Sequence, residues 1–214
     1  MAANMGTFWK ANDVEHGKIR DAQAGDLEAF NDLVVTYQDS VYRWVYRLVG
    51  DPSLAEDLSQ MVFITAYQKL SSFRYGSFRS WLFRIAQNES YDELRRRKRR
   101  SSVSLEQTLW DDQDRELIDT LEGDDPAPEE LVEKHEREQL IHGLLQHLPE
   151  EHRQVLTLVD MEDMDYQEAA ETIGVPIGTI KSRLARARGR FRQLLLENGF
   201  SGFNQELALD FQRI

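Results

Sequence analysis

Cysteine is absent from the 214 residues, which excludes disulfides and thiolate metal sites. No apolar run approaches the ~20 residues a membrane span requires, and the stretch MAANMGTFWKANDVEHGK holds no long apolar segment. The expected location is therefore the cytoplasm, without membrane insertion. No nucleophile motif or phosphate-cradling glycine loop occurs. His135, His142, His147 and His152 form the one candidate metal cluster. Their spacings of seven, five and five keep only the first pair on one helical face, and no His-x-x-x-His or Glu-x-x-His pair accompanies them. The expectation is a protein that is not an enzyme and needs no metal or cofactor.

Hydrophobic residues make up 41% of the chain, enough for modest cores, and the length suits two small helical domains. A net charge of −12 argues against nucleic acid until its distribution is read. Residues 101–134 hold twelve acids and two bases, so the rest of the chain is close to balanced at −2. Local patches, and not the total, set the field that a polyanion meets.

One such patch is residues 165–192, DYQEAAETIGVPIGTIKSRLARARGRFR. Asp165 with Glu168 forms a capping-box pair that starts a helix at Tyr166, and Gly174 suits the left-handed residue that ends one. Pro176 fits the first turn of a second helix. On that helix Ile177, Ile180, Leu184, Ala187 and Phe191 form a stripe to bury. The opposite face carries Gly178, Ser182, Ala185, Arg186 and Gly189, with Lys181 at its edge. Arg183 and Arg190 flank one side, Arg188 and Arg192 the other. Between Glu171 and Glu197 lie six bases and no acid. A solvated basic face is the ordinary reading of such a run. The turn chemistry and the small residues favour a helix-turn-helix whose second helix lies in a major groove.

The remaining chain divides into helices and one acidic stretch. Residues before about Ile19 read as a polar tail. From Leu27 a helical period runs until Gly50, Asp51 and Pro52 break it. Ser53 is expected to cap the next helix, with Glu56 as its capping-box partner. For Glu56 and Asp57, a favourable place near the helix N-terminus is explanation enough. A polar and aromatic loop, residues 71–77, precedes a helix from about Phe78 that ends in the basic run 95–100. Arginines beside aromatics suit single-stranded nucleic acid. Core packing is the better account of Trp81, and for Phe73 and Phe78 the two accounts weigh evenly. Residues 101–128 read as a flexible acidic linker. Helices resume at Glu129 and stop at Leu148 and Pro149, and another runs from Glu150 to about Met161. The expected division is a tail, 1–20; a first domain, 21–100; the linker, 101–128; a helix-turn-helix domain, 129–197; and a C-terminal extension, 198–214. The apolar residues Phe200, Phe203, Leu207, Leu209 and Phe211 suggest that the extension docks or regulates.

The runs AEDLSQMVF, FRYGSFRSWLFRIAQN, LPEEHRQVL and DYQEAAETIGVPIGTIKSRLARAR, in that order, resemble the extracytoplasmic-function (ECF) sigma factors of bacteria. The resemblance implies an all-α protein that binds core RNA polymerase and directs promoter-specific initiation. Carried onto matching positions, it implies that Glu56, Asp57 and Gln60 meet the polymerase clamp. It implies a −10 surface of Arg74, Tyr75, Ser77, Phe78, Trp81, Arg84, Asn88, Arg95 and Arg96 on melted DNA. It implies a −35 surface of Thr179, Lys181, Ser182, Arg183, Arg186, Arg188 and Arg190 on duplex DNA. An anti-sigma factor is a further partner that the family admits. The alternative is a dimeric helix-turn-helix regulator acting without polymerase, which explains residues 165–192 but not the FRYGSFRSWL loop and its basic tail.

Overall fold

The computed structural model describes residues 5–74, 76–104 and 139–199, with side chains from residue 14 onward apart from those of 98 and 100–104. Every regular element among them is helical. The first, α1, is Met5–Gln23, so much of the expected tail is helix. Its sequence carries few apolar positions, and tertiary contacts hold it. Ile19 and Ala22 are buried, Lys18 pairs with Asp32 at 2.8 Å, and Glu15 accepts from the Tyr37 hydroxyl.

Helix α2, Leu27–Val49, is capped by Asp26 and ends where Gly50 takes a left-handed conformation, φ 81°. A side chain at Gly50 would be strained there and would meet Gln146 at 3.2 Å. Helix α3, Pro52–Lys69, begins two residues earlier than expected. Its cap is Asp51, which accepts from the Leu54 N–H at 3.1 Å, and not Ser53. Pro52 occupies the first helical position, where its missing N–H costs nothing. After a 3₁₀ turn at Leu70–Ser72, helix α4 runs from Phe78 to Ser104, beyond the basic run where it was expected to stop. Trp44 and Phe83, both fully buried with ring centroids 5.2 Å apart, centre the core of these four helices. Each such burial contributes about 1.5–3 kcal/mol.

Helix α5 covers residues 139–146, and α6, Glu150–Leu156, continues as a π turn at Thr157–Met161. Asp163, at φ 52°, then turns the chain; Asp tolerates this left-handed conformation better than most residues. Helix α7, Tyr166–Ile173, starts with the expected capping box and ends at Gly174, φ 78°. Helix α8, Ile177–Glu197, is preceded by Pro176, which sits at the cap and not inside the first turn. Leu145, Leu158, Met164, Ile180, Leu184 and Phe191 fill the core of this second group.

The two groups pack against each other, α7 on α4 and α6 on α2. The last turn of α2 has carbonyls with no partner inside the helix. His142 lies 3.1 Å from the Tyr46 carbonyl, Gln146 donates to that of Arg47 at 3.0 Å, and Arg153 to that of Leu48 at 2.8 Å. The His142 ring also stacks on Tyr46 at 4.0 Å. Of the other candidate metal histidines, His147 turns back to the Gly143 carbonyl at 2.9 Å, and His135 lies outside the described residues. No helix among the described residues is long and apolar enough to cross a membrane.

Candidate nucleic-acid interface

The second helix of the helix-turn-helix owes its orientation to its buried stripe. Ile180, Leu184, Ala187 and Phe191 are at most 2% exposed, and Leu194 and Leu195 extend the stripe by a turn. Ile177, expected in the stripe, is exposed at the helix start. With that side fixed, Gly178, Lys181, Ser182, Ala185, Arg186, Gly189 and Arg190 face outward. Among the described residues a Cβ at Gly178 or Gly189 would meet no atom within 4 Å, so their packing does not call for glycine at either place.

Lys181, Arg183 and Arg188 have partners within the chain. Lys181 stands 5.7 Å from the centroid of the Tyr166 ring, a cation–π contact that directs its ammonium. Arg183, half-buried, pairs with Glu151 at 2.6 Å. Arg188 makes a two-pronged contact with Asp160, through Nε at 2.8 Å and Nη2 at 2.5 Å. Ser182 donates to the Thr179 carbonyl at 3.0 Å, and Thr179 is half-buried. Arg186 and Arg190 project from the exposed face.

The second surface lies on the loop after the 3₁₀ turn and on the start of α4. Phe73, Phe78 and Trp81 form a cluster with centroids 5.4–5.5 Å apart, and Phe78 also meets Tyr37. Phe78 is 2% exposed, so this arrangement leaves it little surface for a base. Trp81 is partly exposed. Arg74, Arg84, Asn88, Arg95 and Arg96 are exposed, and Tyr75 lies outside the described residues. Gln23 donates to the carbonyls of Leu70 at 2.9 Å and Phe73 at 2.7 Å, so α1 fixes the approach to the loop. Nothing in the polar sequence of α1 signals that role.

Several of these side chains are engaged by the second group of helices. Ser77 donates to Glu168 at 3.1 Å, Arg84 to the Glu171 carbonyl, and Thr172 to the Ser80 carbonyl at 3.4 Å. Next to them Glu162, with a side chain 2% exposed, meets Arg47 at 2.7 Å, Arg79 at 3.7 Å and Arg43 at 3.9 Å. Burial pushes the Glu162 carboxyl above its ordinary value, while the three guanidiniums pull it down. The arginines were not expected to act together, because they come from positions 43, 47 and 79 and meet only in the fold.

On α3, Glu56, Asp57 and Gln60 are exposed together. Met61 and Ile64 beside them are 46% and 50% exposed, well above the usual for large apolar residues on a buried helix.

Residues 33–100 match the family Sigma-70 region 2, and residues 138–191 match Sigma-70, region 4. The chain is 37% identical to the RNA polymerase sigma-H factor of Pseudomonas aeruginosa over 174 residues, covering 79% of this chain and 88% of that protein. It is 31% identical to the ECF RNA polymerase sigma factor SigW of Bacillus subtilis, covering 83% of this chain and 95% of that protein. Its fold is similar to that of the sigma factor RpoE of Bartonella quintana, solved with the anti-sigma factor NepR, at a TM-score of 0.63 and 27% identity over 79% of this chain and 98% of that one. The chain belongs to the ECF sigma factors of RNA polymerase, proteins that give the polymerase its promoter recognition. Helices α2 to α4 are its region 2 and α5 to α8 its region 4.

Proposed function

We propose the following division of labour within this sigma factor. Helix α8 lies in the major groove of the −35 element. Lys181, Ser182 and Arg186 reach base edges, while Arg183, Arg188 and Arg190, with Thr179, grip phosphates on the groove walls. The loop of residues 74–77 and the exposed side of α4 receive the melted −10 strand through Arg74, Tyr75, Ser77, Arg84, Asn88, Arg95 and Arg96. Trp81 offers an edge for stacking. Phe78 supports that surface from the core. Glu56, Asp57 and Gln60 on α3 meet the polymerase, and the exposed Met61 and Ile64 extend the contact.

The observation that carries this reading is the outward face of α8, small and basic with two glycines that packing does not require. Catalysis of RNA synthesis belongs to the polymerase, and the chain adds no reaction of its own. It works in the cytoplasm, where its polymerase and promoter DNA are, and an anti-sigma partner of the kind bound by the Bartonella quintana protein fits the same reading. On this reading the chain divides into a region 2 domain over residues 21–100, a region 4 domain over 129–197 and the acidic stretch between them as a linker.

The division is tested by pull-down with core polymerase. Glu56→Ala, Asp57→Ala and Gln60→Ala together are expected to lower core binding about tenfold or more, because interface centres concentrate affinity in few residues. Duplex −35 binding by the same variant is expected to be unchanged. Core binding at the wild-type level would remove α3 from the polymerase contact.

A further inference from the structure

Lys181 carries a point charge on a flexible four-carbon stem, so its use as a base reader depends on what aims it. Its own helix supplies nothing for that. The neighbours one turn away on α8 are Ile177, Gly178, Leu184 and Ala185, with no ring, carboxylate or amide side chain among them. The group that meets the ammonium comes from α7 instead. It is the Tyr166 ring, whose centroid lies 5.7 Å from Nζ, inside the ~6 Å reach of a cation–π contact.

Tyr166 is itself held at two places. Its backbone is the first residue of α7, fixed by the capping box of Asp165 and Glu168. Its hydroxyl end meets the Arg188 guanidinium. Asp160, on the π turn after α6, grips that guanidinium through Nε at 2.8 Å and Nη2 at 2.5 Å. The side chain nonetheless stays 37% exposed beside the outward face of α8, so core packing does not account for it.

An ammonium has three N–H donors. With one directed at the ring, two are left for a base edge. The major-groove edge that accepts two donors side by side is that of guanine, at O6 and N7.

We propose that Tyr166 is a positioning residue for −35 recognition: its ring aims the Lys181 ammonium at one guanine, and the base preference at that position depends on the ring although Tyr166 touches no base. The proposal rests on the assignment of the outward face of α8 to the −35 major groove.

Holoenzyme assembled from core polymerase and the full-length chain is used for the test. The probe is a promoter duplex that the wild-type holoenzyme selects from a randomised library, with its single-base −35 variants as competitors. Lys181→Ala marks the base pair that Lys181 addresses. Tyr166→Leu is expected to lower discrimination at that base pair by about threefold, the worth of an exposed cation–π contact, and to leave the other −35 positions unchanged. Tyr166→Gln, which also removes the ring and suits a helix, is expected to match it. Tyr166→Phe keeps the ring and is expected to keep the wild-type preference. In a Lys181→Ala background Tyr166→Leu is expected to add nothing, because the group that the ring aims is gone.

Unchanged discrimination in both ringless variants would overturn the inference. Equal weakening on every −35 variant would overturn it as well, by making Tyr166 a general support of the domain. Losses from Tyr166→Leu and Lys181→Ala that simply add at the marked base pair would separate the two residues, and a Tyr166→Phe variant as impaired as Tyr166→Leu would give the effect to the hydroxyl; either contradicts the role of the ring. Each of these results beside a position-selective loss in Lys181→Ala refutes this inference alone. Absence of any position-selective loss in Lys181→Ala refutes the assignment of α8 beneath it.

Discussion

Asp51 does two things at the start of α3. Its carboxylate accepts from the Leu54 N–H at 3.1 Å and pairs with Arg97 of α4 at 3.2 Å. The Leu54 N–H holds its pKa below the ordinary 3.8 against the opposing effect of burial, and Arg97 adds to the lowering. A depressed carboxyl contributes stability that is complete above the unfolded value and is lost as pH falls through the folded one. Asp51→Ala should therefore cost about 1 kcal/mol near neutral pH, the usual worth of such a cap. Urea titrations at pH 7 and at successive values below 3.8 should show the gap between wild type and variant closing. Arg97→Ala should cost less, because both partners are 40% exposed or more and solvent screens the pair.

The DNA-facing residues also make separable predictions. Lys181→Ala or Arg186→Ala should each lose about 1–3 kcal/mol at one position of the −35 element and little elsewhere. Arg190→Ala should weaken all duplexes alike and reduce the salt slope by about 1. Competition binding on a set of single-base −35 variants separates the two patterns. Equal losses everywhere for all three would mean that the reading side of α8 lies elsewhere.

Among the elements, α8 gives the sharpest contrast between fold and function. Gly189 lies mid-helix with open space where a Cβ would stand. Gly189→Ala should raise stability by roughly 0.5–1 kcal/mol, as alanine is the better helix former. It should also lower −35 affinity if a backbone approaches there, and thermal melting with duplex titration reads both effects. The same helix was legible in the sequence, since a capping box, a glycine stop and a strict apolar stripe all agree over residues 165–191. Helix α1 was not. It is held by Glu15, Lys18, Ile19 and Gln23 reaching α2 and the loop after α3, contacts between positions far apart in the chain. The start of α3 was displaced for a local reason: Ser53 and Glu56 also make a capping pattern, but Pro52 at the first helical position lets Asp51 serve as the cap.

At the scale of the whole molecule, the sequence pattern announces two helical groups and an acidic stretch, and it is silent on how the groups meet. Surface packing between them rests on polar side chains scattered over both: His142, Gln146 and Arg153 on the end of α2, and Glu162 among three arginines. None belongs to a periodic stripe or a motif. The resemblance that names the family also weighs each region by itself: it implies a strand contact for Phe78, which the residues alone left evenly between strand and core, and Phe78 is 2% exposed.

The central claim is that the chain confers promoter recognition on RNA polymerase through two DNA surfaces. Run-off transcription with purified core polymerase on a promoter library tests it most directly, with and without the protein. The expected result is a small set of templates transcribed only with the protein present, sharing one −35 and one −10 element, with Lys181→Ala and Arg186→Ala shifting the −35 preference. Templates transcribed equally with and without the protein would contradict it.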